Sequence, residues 1–223
     1  MRTARKLLAL AVGIGLLAVL TVSAGTASAE SPGIFEAENY PVYLRGTQQN
    51  THEFKITAGT VTCKAATFQG GAAAAAMWQN MTAAYSECTA FGFPATVAMR
   101  SCEYEFNTGA EFAAGEHEGT VDVIDRAGAA TTCAETPIRI SAGFCVVTIG
   151  PQAGLTTLTY VNGGTGTSQH IKLVAAITGI EYVQGAGCMG GAGMFANGQY
   201  TGKTDVKGYI NEARTEQQGI WVN

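Results

Sequence analysis

Several motifs of common enzymes and metal sites are missing from this chain. Histidine occurs only three times in 223 residues, and no H-E-x-x-H zinc motif is formed. No G-x-S-x-G motif is present either, which excludes the nucleophile elbow of the α/β hydrolases. Because no C-x-x-C pair occurs, zinc-ribbon spacing is also absent. We therefore expect neither a metal ion nor a cofactor.

Charged residues are also scarce, at 13% of the chain. Three of the 13 basic residues and none of the 17 acidic residues fall within residues 1–29, so residues 30–223 carry a formal net charge of −7. Because phosphate binding needs clustered lysine and arginine, we expect neither nucleic acid nor anionic lipid as a partner. Glycine, alanine and threonine are abundant instead, a mix typical of an exported all-β protein with many tight turns.

Residues 1–29 have the order of a secretory signal peptide. Three basic residues precede an apolar run over residues 7–22, and small residues then lead to Ala27-Ser28-Ala29. The apolar run is 16 residues long, which is shorter than the roughly 20 residues that a spanning helix needs. We therefore predict cleavage before Glu30 and a secreted, extracellular protein without a membrane span.

All six cysteines follow the predicted signal peptide. They are Cys63, Cys88, Cys102, Cys133, Cys145 and Cys188. An even number of cysteines in an exported chain predicts disulfides, because the secretory route is oxidising. We expect Cys63 to pair with Cys88 and close a hairpin region. The spacing of the other four leaves their pairing open.

Short segments of alternating polarity, separated by Gly, Asn and Pro, run along almost the whole chain. This period of two is typical of β-strands. In residues 102–106, for example, Cys102, Tyr104 and Phe106 share one face, while Glu103 and Glu105 share the other. We predict an all-β fold, an antiparallel sandwich or barrel.

The chain shows no linker that would divide it into two folded domains. We predict a signal peptide over residues 1–29, an irregular lead-in over residues 30–50 and one all-β domain over residues 51–223. Residues 72–81 leave two alternatives open. They begin with five alanines, which favour a helix, but their flanking segments favour strands.

A spaced set of residues supports the β interpretation of this stretch. It comprises Tyr85-x-x-Cys88-x-Ala90-Phe91-Gly92, Cys102-x-Tyr104, Cys145-x-Val147-x-Ile149, Gln152-x-Gly154-Leu155, Gly179-Ile180-x-Tyr182 and Tyr200-x-Gly202. The set resembles a group of exported, cysteine-containing proteins predicted from actinobacterial genomes. The resemblance covers residues 45–223, favours strand over helix in residues 72–88, and implies no activity, ligand or catalytic residue.

The densest polar cluster is Glu116-His117-Glu118. In a strand the two glutamates would point one way and the histidine the other, so the three could not converge on a metal ion. Gly115 and Gly119 flank the cluster, and we interpret it as an exposed turn. Trp78, Trp221 and the eight tyrosines could stack on a sugar, but we expect them to pack in the core and the sheet.

The remaining candidate groups are a Ser-x-His sequence and several acidic residues. Ser168 and His170 are close in sequence, but a catalytic triad is defined by geometry rather than by adjacency. Glu103 and Glu105 could form a glycosidase pair, although two carboxylates on the wet side of a half-buried strand are commoner. Asp122 and Asp125 match no calcium-loop motif.

No catalytic residue can therefore be assigned from the sequence. We expect a secreted, non-enzymatic extracellular protein that binds or coats a surface or a small ligand. The alternative is a secreted hydrolase that acts on a polysaccharide or another polymer through its acidic residues. Carboxylates that converge in a cleft would favour the hydrolase, whereas an apolar patch or a lined cavity would favour binding.

Overall fold

The computed structural model describes residues 31–223. The predicted signal peptide and the predicted start at Glu30 lie outside the described residues. The described part contains fifteen β-strands, one 3-10 turn at Gly166–Ser168 and no α-helix. The strands are β1 Phe35–Ala37, β2 Val42–Gln48, β3 His52–Ile56, β4 Gly59–Ala72, β5 Trp78–Ala90, β6 Phe93–Ala98, β7 Cys102–Ala113, β8 Glu116–Asp125, β9 Ile138–Ala142, β10 Cys145–Ile149, β11 Gln152–Gly163, β12 His170–Gln184, β13 Gly193–Tyr209, β14 Gln217–Gln218 and β15 Ile220–Val222.

Neighbouring strands pair antiparallel, and the main sheet closes on itself. Its order is β10-β9-β6-β5-β7-β8-β11-β12-β13-β2-β4-β3, with further pairings of β4 with β5, β10 with β12, and β3 with β13. The long strands β4, β5, β12 and β13 therefore belong to two closed rings of strands, one at each of their ends. The prediction of an antiparallel all-β domain is confirmed.

The alanine-rich stretch forms no helix. Strand β4 ends at Ala72, residues 73–77 connect the two strands, and β5 begins at Trp78. The β4–β5 ladder extends from the pair Val61 and Ala90 to the pair Gly70 and Met81. The hydrogen bonds and packing of this long ladder outweigh the helix propensity of the alanines, which is only a weak preference.

The segment that we expected to be an irregular lead-in contains β1 and β2. Strand β2 pairs with both β13 and β4 and so forms part of the closed sheet. Strand β1 pairs with β15 near the C-terminus. The polar and proline-containing sequence of residues 30–50 does not indicate these strands. They form because they pair with strands that lie far away in the chain. In residues 31–223, no helix has the length and apolar character needed to cross a membrane.

Three disulfides join all six cysteines. The expected bridge between Cys63 and Cys88 is confirmed, and the two residues are also register partners in β4 and β5. A second bridge joins Cys102 to Cys133, and a third joins Cys145 to Cys188. The second and third bridges tie strands β7 and β10 to the irregular segments 126–137 and 185–192.

Candidate functional site

The interior of the closed sheet contains a cavity of about 90 Å³. Core-facing side chains from every strand between β3 and β13 contribute to its wall. Most of the wall is aliphatic or aromatic. It includes Phe54, Phe68, Phe106, Leu158, Leu173 and Ile177. Protein interiors normally have few voids larger than a water molecule, so a cavity of this size is a distinct feature of the fold.

Four polar side chains on the cavity wall form one hydrogen-bonded chain, which we call the Tyr–His chain. His52 Nδ1 lies 2.6 Å from the Tyr200 hydroxyl oxygen. The Tyr200 hydroxyl lies 3.3 Å from that of Tyr85, which in turn lies 3.3 Å from that of Tyr104. At the other end of the chain, His52 Nε2 lies 3.2 Å from the carbonyl oxygen of Lys203.

The closed sheet brings these four side chains together from four different strands. His52 begins β3, Tyr85 lies in β5, Tyr104 in β7 and Tyr200 in β13. The Phe68 ring packs among them, with centroids 6.0 Å from the rings of His52 and Tyr85 and 6.4 Å from that of Tyr104. Aromatic rings at such separations contribute favourable edge and offset contacts.

A glycine makes room for the histidine at the end of the chain. A Cβ atom at Gly202 would lie 2.7 Å from the His52 ring, which is closer than real contacts allow. Tyr200 lies two residues before Gly202 and therefore faces the same side of β13. The absence of a side chain at Gly202 thus lets the imidazole reach the Tyr200 hydroxyl.

The donors and acceptors of the Tyr–His chain have a fixed direction. A carbonyl oxygen can only accept, so His52 Nε2 carries the hydrogen that is donated to Lys203, and Nδ1 of the neutral ring is an acceptor. Tyr200 must then donate to His52 Nδ1 and accept from Tyr85. Tyr85 in turn accepts from Tyr104.

Every group of the Tyr–His chain is uncharged at neutral pH, and burial strengthens this preference. It raises the pKa of Tyr85, Tyr104 and Tyr200 well above the ordinary value, because a phenolate would lose its hydration. Burial also lowers the pKa of His52, and the hydrogen bond to the Lys203 carbonyl opposes this effect. The neutral imidazole is therefore the form present, as the direction of the chain requires.

Glu103 and Glu105, which we predicted to be solvated, are both at least partly buried. Glu103 is 6% exposed and accepts a hydrogen bond of 3.0 Å from Asn80 Nδ2, so the expectation of a carboxylate on the wet side of the strand was wrong for this residue. Glu105 is half-buried. Its pKa is raised by burial, by Asp122, with which it is paired in register, and by Glu103. Neither Glu103 nor Glu105 lines the interior cavity.

His117 differs from the expected exposed turn. It lies within β8 and is 3% exposed, although flanking Glu116 and Glu118 are less buried, as strand alternation predicted. Its Nδ1 atom has no hydrogen-bond partner among the described residues. A Cβ atom at Gly33 would lie 2.9 Å from His117 Nδ1 and 2.7 Å from a Val222 methyl carbon, so the two ends of residues 31–223 meet beside this part of β8.

The Ser-x-His sequence and the two aspartates have structural roles. Ser168 Oγ donates to the Thr165 carbonyl, and His170 Nδ1 contacts the carbonyl of Ser168 rather than its hydroxyl. The carboxylates of Asp122 and Asp125 accept backbone N–H groups at 2.6 Å. Within residues 31–223, no three His, Cys, Asp or Glu side chains converge as a metal site.

The tryptophans lie outside the core. Trp78 is 50% exposed, in contrast to the expected core packing, while Trp221 donates from Nε1 to Glu36 at 2.7 Å.

Comparison of the chain with protein-family models, with curated proteins and with solved structures gives no match. The functional argument therefore rests on the geometry of the site.

Proposed function

We propose that this protein is a secreted, non-enzymatic extracellular protein that binds a small, mainly apolar ligand in its interior cavity. The observation that carries the proposal is the apolar cavity of about 90 Å³ with the Tyr–His chain in its wall. Apolar cavities remain dry and take up small apolar molecules or xenon. Three disulfides also suit an oxidising, extracellular environment.

The size of the cavity limits the ligand. A water molecule occupies about 30 Å³ of liquid, so about three or four non-hydrogen atoms fill the space. The cavity favours the small-ligand form of the expected binding role over the coating of a surface. The wall is otherwise apolar apart from Thr204, so the four groups of the Tyr–His chain give the ligand one preferred orientation, which is the usual design of a small-molecule site.

Xenon binding tests whether the cavity accepts an apolar guest. We expect a saturable shift of the methyl signals of Leu158 and Ile177 when the secreted protein is titrated with xenon and followed by NMR. Ala175 also lines the cavity, so the Ala175→Val variant fills part of it. We expect this variant to bind xenon about tenfold more weakly and to keep or raise its melting temperature, because the added methyl groups enter empty space.

The matched control is Ala142→Val. Ala142 is 4% exposed and does not line the cavity, so this change should overpack the core and lower the melting temperature while leaving xenon binding unchanged. The absence of a xenon response in the native protein, or an equal response in native protein and Ala175→Val, would contradict the proposed function.

The hydrolase remains a second candidate because of one observation. Glu105 has a raised pKa and lies directly opposite Asp122 on the neighbouring strand, and a raised pKa suits a general acid. The exposed Trp78 is paired with Asn107, two residues along β7 from Glu105 and on the same face of the sheet. An exposed aromatic ring beside carboxylates could hold a sugar.

The Glu105→Gln variant distinguishes the two functions. Because the folded-state pKa is raised, ionisation of Glu105 opposes folding, and its cost grows as pH rises from the ordinary value of 4.5 through the raised value. We expect the variant to have a slightly higher melting temperature at pH 7, a gain that disappears below about pH 4. Thermal denaturation at several pH values measures it.

The control is Glu118→Gln, which changes an exposed position of β8 and should leave the melting temperature nearly unchanged. The binding proposal expects no hydrolysis of cell-wall or storage polysaccharide by the native protein. Hydrolysis that is present in the native protein, retained in Glu118→Gln and abolished in Glu105→Gln would make the hydrolase the better interpretation.

A further inference from the structure

We infer that the cavity selects a small ligand that carries a hydrogen-bond donor, such as an alcohol, and that the Tyr104 hydroxyl oxygen accepts this hydrogen bond. The inference rests on the proposed function, since it names the chemistry of a ligand in the same cavity. Its basis is the direction of the Tyr–His chain.

The count of donors and acceptors in the Tyr–His chain leaves one acceptor without a donor. Each tyrosine hydroxyl supplies a single hydrogen and can also accept. Tyr85 donates to Tyr200 and accepts from Tyr104, while Tyr200 donates to His52 and accepts from Tyr85. Tyr104 has given its hydrogen to Tyr85, and among residues 31–223 no group donates to its oxygen.

At Tyr104 the Tyr–His chain therefore presents a free acceptor and no free hydroxyl hydrogen. A ligand hydroxyl can donate to the Tyr104 oxygen and extend the chain by one member. At this end of the Tyr–His chain, a ligand that carries only an acceptor, such as an ether, finds that the three tyrosine hydroxyl hydrogens are already donated within the Tyr–His chain. Its oxygen would lose its hydrogen bonds to water without a replacement, which weakens binding.

Protonation of His52 would reverse the direction of the chain. A doubly protonated imidazole donates from both nitrogens, so Tyr200 would have to donate to Tyr85, Tyr85 to Tyr104, and Tyr104 into the cavity. The groups that face His52 are the Tyr200 hydroxyl and the Lys203 carbonyl from β13, and Phe68 and the Cys63–Cys88 disulfide from β4. Acid should thus shift the preference from a donor ligand towards an acceptor ligand.

The experiment compares three probe molecules of equal size in NMR titrations of the secreted protein. They are n-butane, methoxyethane and 1-propanol. We expect n-butane to bind, because the cavity is apolar, and 1-propanol to bind about tenfold more tightly than methoxyethane at pH 7.5. Only 1-propanol should shift the carbon signal of the Tyr104 ring atom that bears the hydroxyl. The preference for 1-propanol should shrink as the pH is lowered.

The Tyr104→Phe variant removes the accepting oxygen together with the hydrogen that Tyr104 donates to Tyr85, so the Tyr85 oxygen becomes the free acceptor at the end of the Tyr–His chain. It should bind n-butane as the native protein does, its preference for 1-propanol over methoxyethane should be smaller, and 1-propanol should now shift the hydroxyl-bearing ring carbon of Tyr85. Native protein that binds n-butane but binds methoxyethane as tightly as 1-propanol would overturn the inference and leave the proposed function intact. Native protein that binds none of the three probes and no xenon would overturn both.

Discussion

Replacing Cys102 and Cys133 by alanine is expected to lower the free energy of unfolding by about 3–4 kcal/mol. The bridge spans a sequence separation of 31 residues. Its loss raises the conformational entropy of the unfolded chain, by an amount that grows with this separation. Both cysteines have an exposed fraction of 0%, so the variant also loses buried contacts. For a domain of this size the melting temperature should fall by about 10 °C, which differential scanning calorimetry can measure.

The matched control is the double replacement of Cys63 and Cys88. This bridge spans a similar separation of 25 residues, so the effect on the unfolded chain and the fall in melting temperature should be similar. Cys63 and Cys88 remain adjacent through the β4–β5 ladder, whereas residues 126–137 contain no strand. Only loss of the Cys102–Cys133 bridge should therefore speed hydrogen exchange in residues 126–137. Unchanged exchange there would contradict this assignment of roles.

The fold class could be predicted from the sequence because the alternation of side chains is a local signal. The segment from Cys102 to Phe106 alternates as expected, and it is part of β7. The Cys63–Cys88 bridge could also be predicted, since a hairpin brings together cysteines that are near one another in sequence. The other two bridges depend on how irregular segments return to the sheet. No local sequence pattern predicts the path of these segments.

Alternation identifies the two faces of a strand but not what covers each face. Glu103 was assigned correctly to the face opposite Tyr104, yet Asn80 of the neighbouring strand and the surrounding sheet bury it. His117 lies between glycines that indicated a turn, but residues from both ends of the described chain cover it. Both differences come from neighbours that are distant in sequence.

The candidate site could not be predicted for the same reason. His52 and Tyr200 are 148 residues apart in the chain, and each lies on the inner side of its own strand. Only closure of the sheet places their polar atoms within hydrogen-bonding distance. The one signal available was Tyr104, which the alternation placed on the inner face. A buried tyrosine hydroxyl usually requires a partner, so this residue could have prompted a search for one.

The Leu158→Ala variant is expected to lose about 4 kcal/mol of stability and to gain space for a larger ligand. Leu158 is 1% exposed and lines the interior cavity. Leucine-to-alanine changes at such sites cost the transfer free energy of the removed atoms and a further contribution that grows with the cavity left behind. Because the new space joins a cavity that already measures about 90 Å³, little collapse around it is expected. Chemical denaturation at pH 7 gives the change in stability.

The enlarged cavity should then accept benzene, which is too large for the native space. Benzene that binds only the folded state raises the melting temperature in proportion to its occupancy, so the gain should appear in Leu158→Ala and be small in the native protein. Leu44→Ala is the matched control, because Leu44 is 6% exposed and lines a separate cavity of about 40 Å³. It should be destabilised to a comparable degree and show much less rescue by benzene. Equal rescue of the two variants would show that the interior cavity binds benzene no better than another void in this core. The binding proposal would then lose its main support.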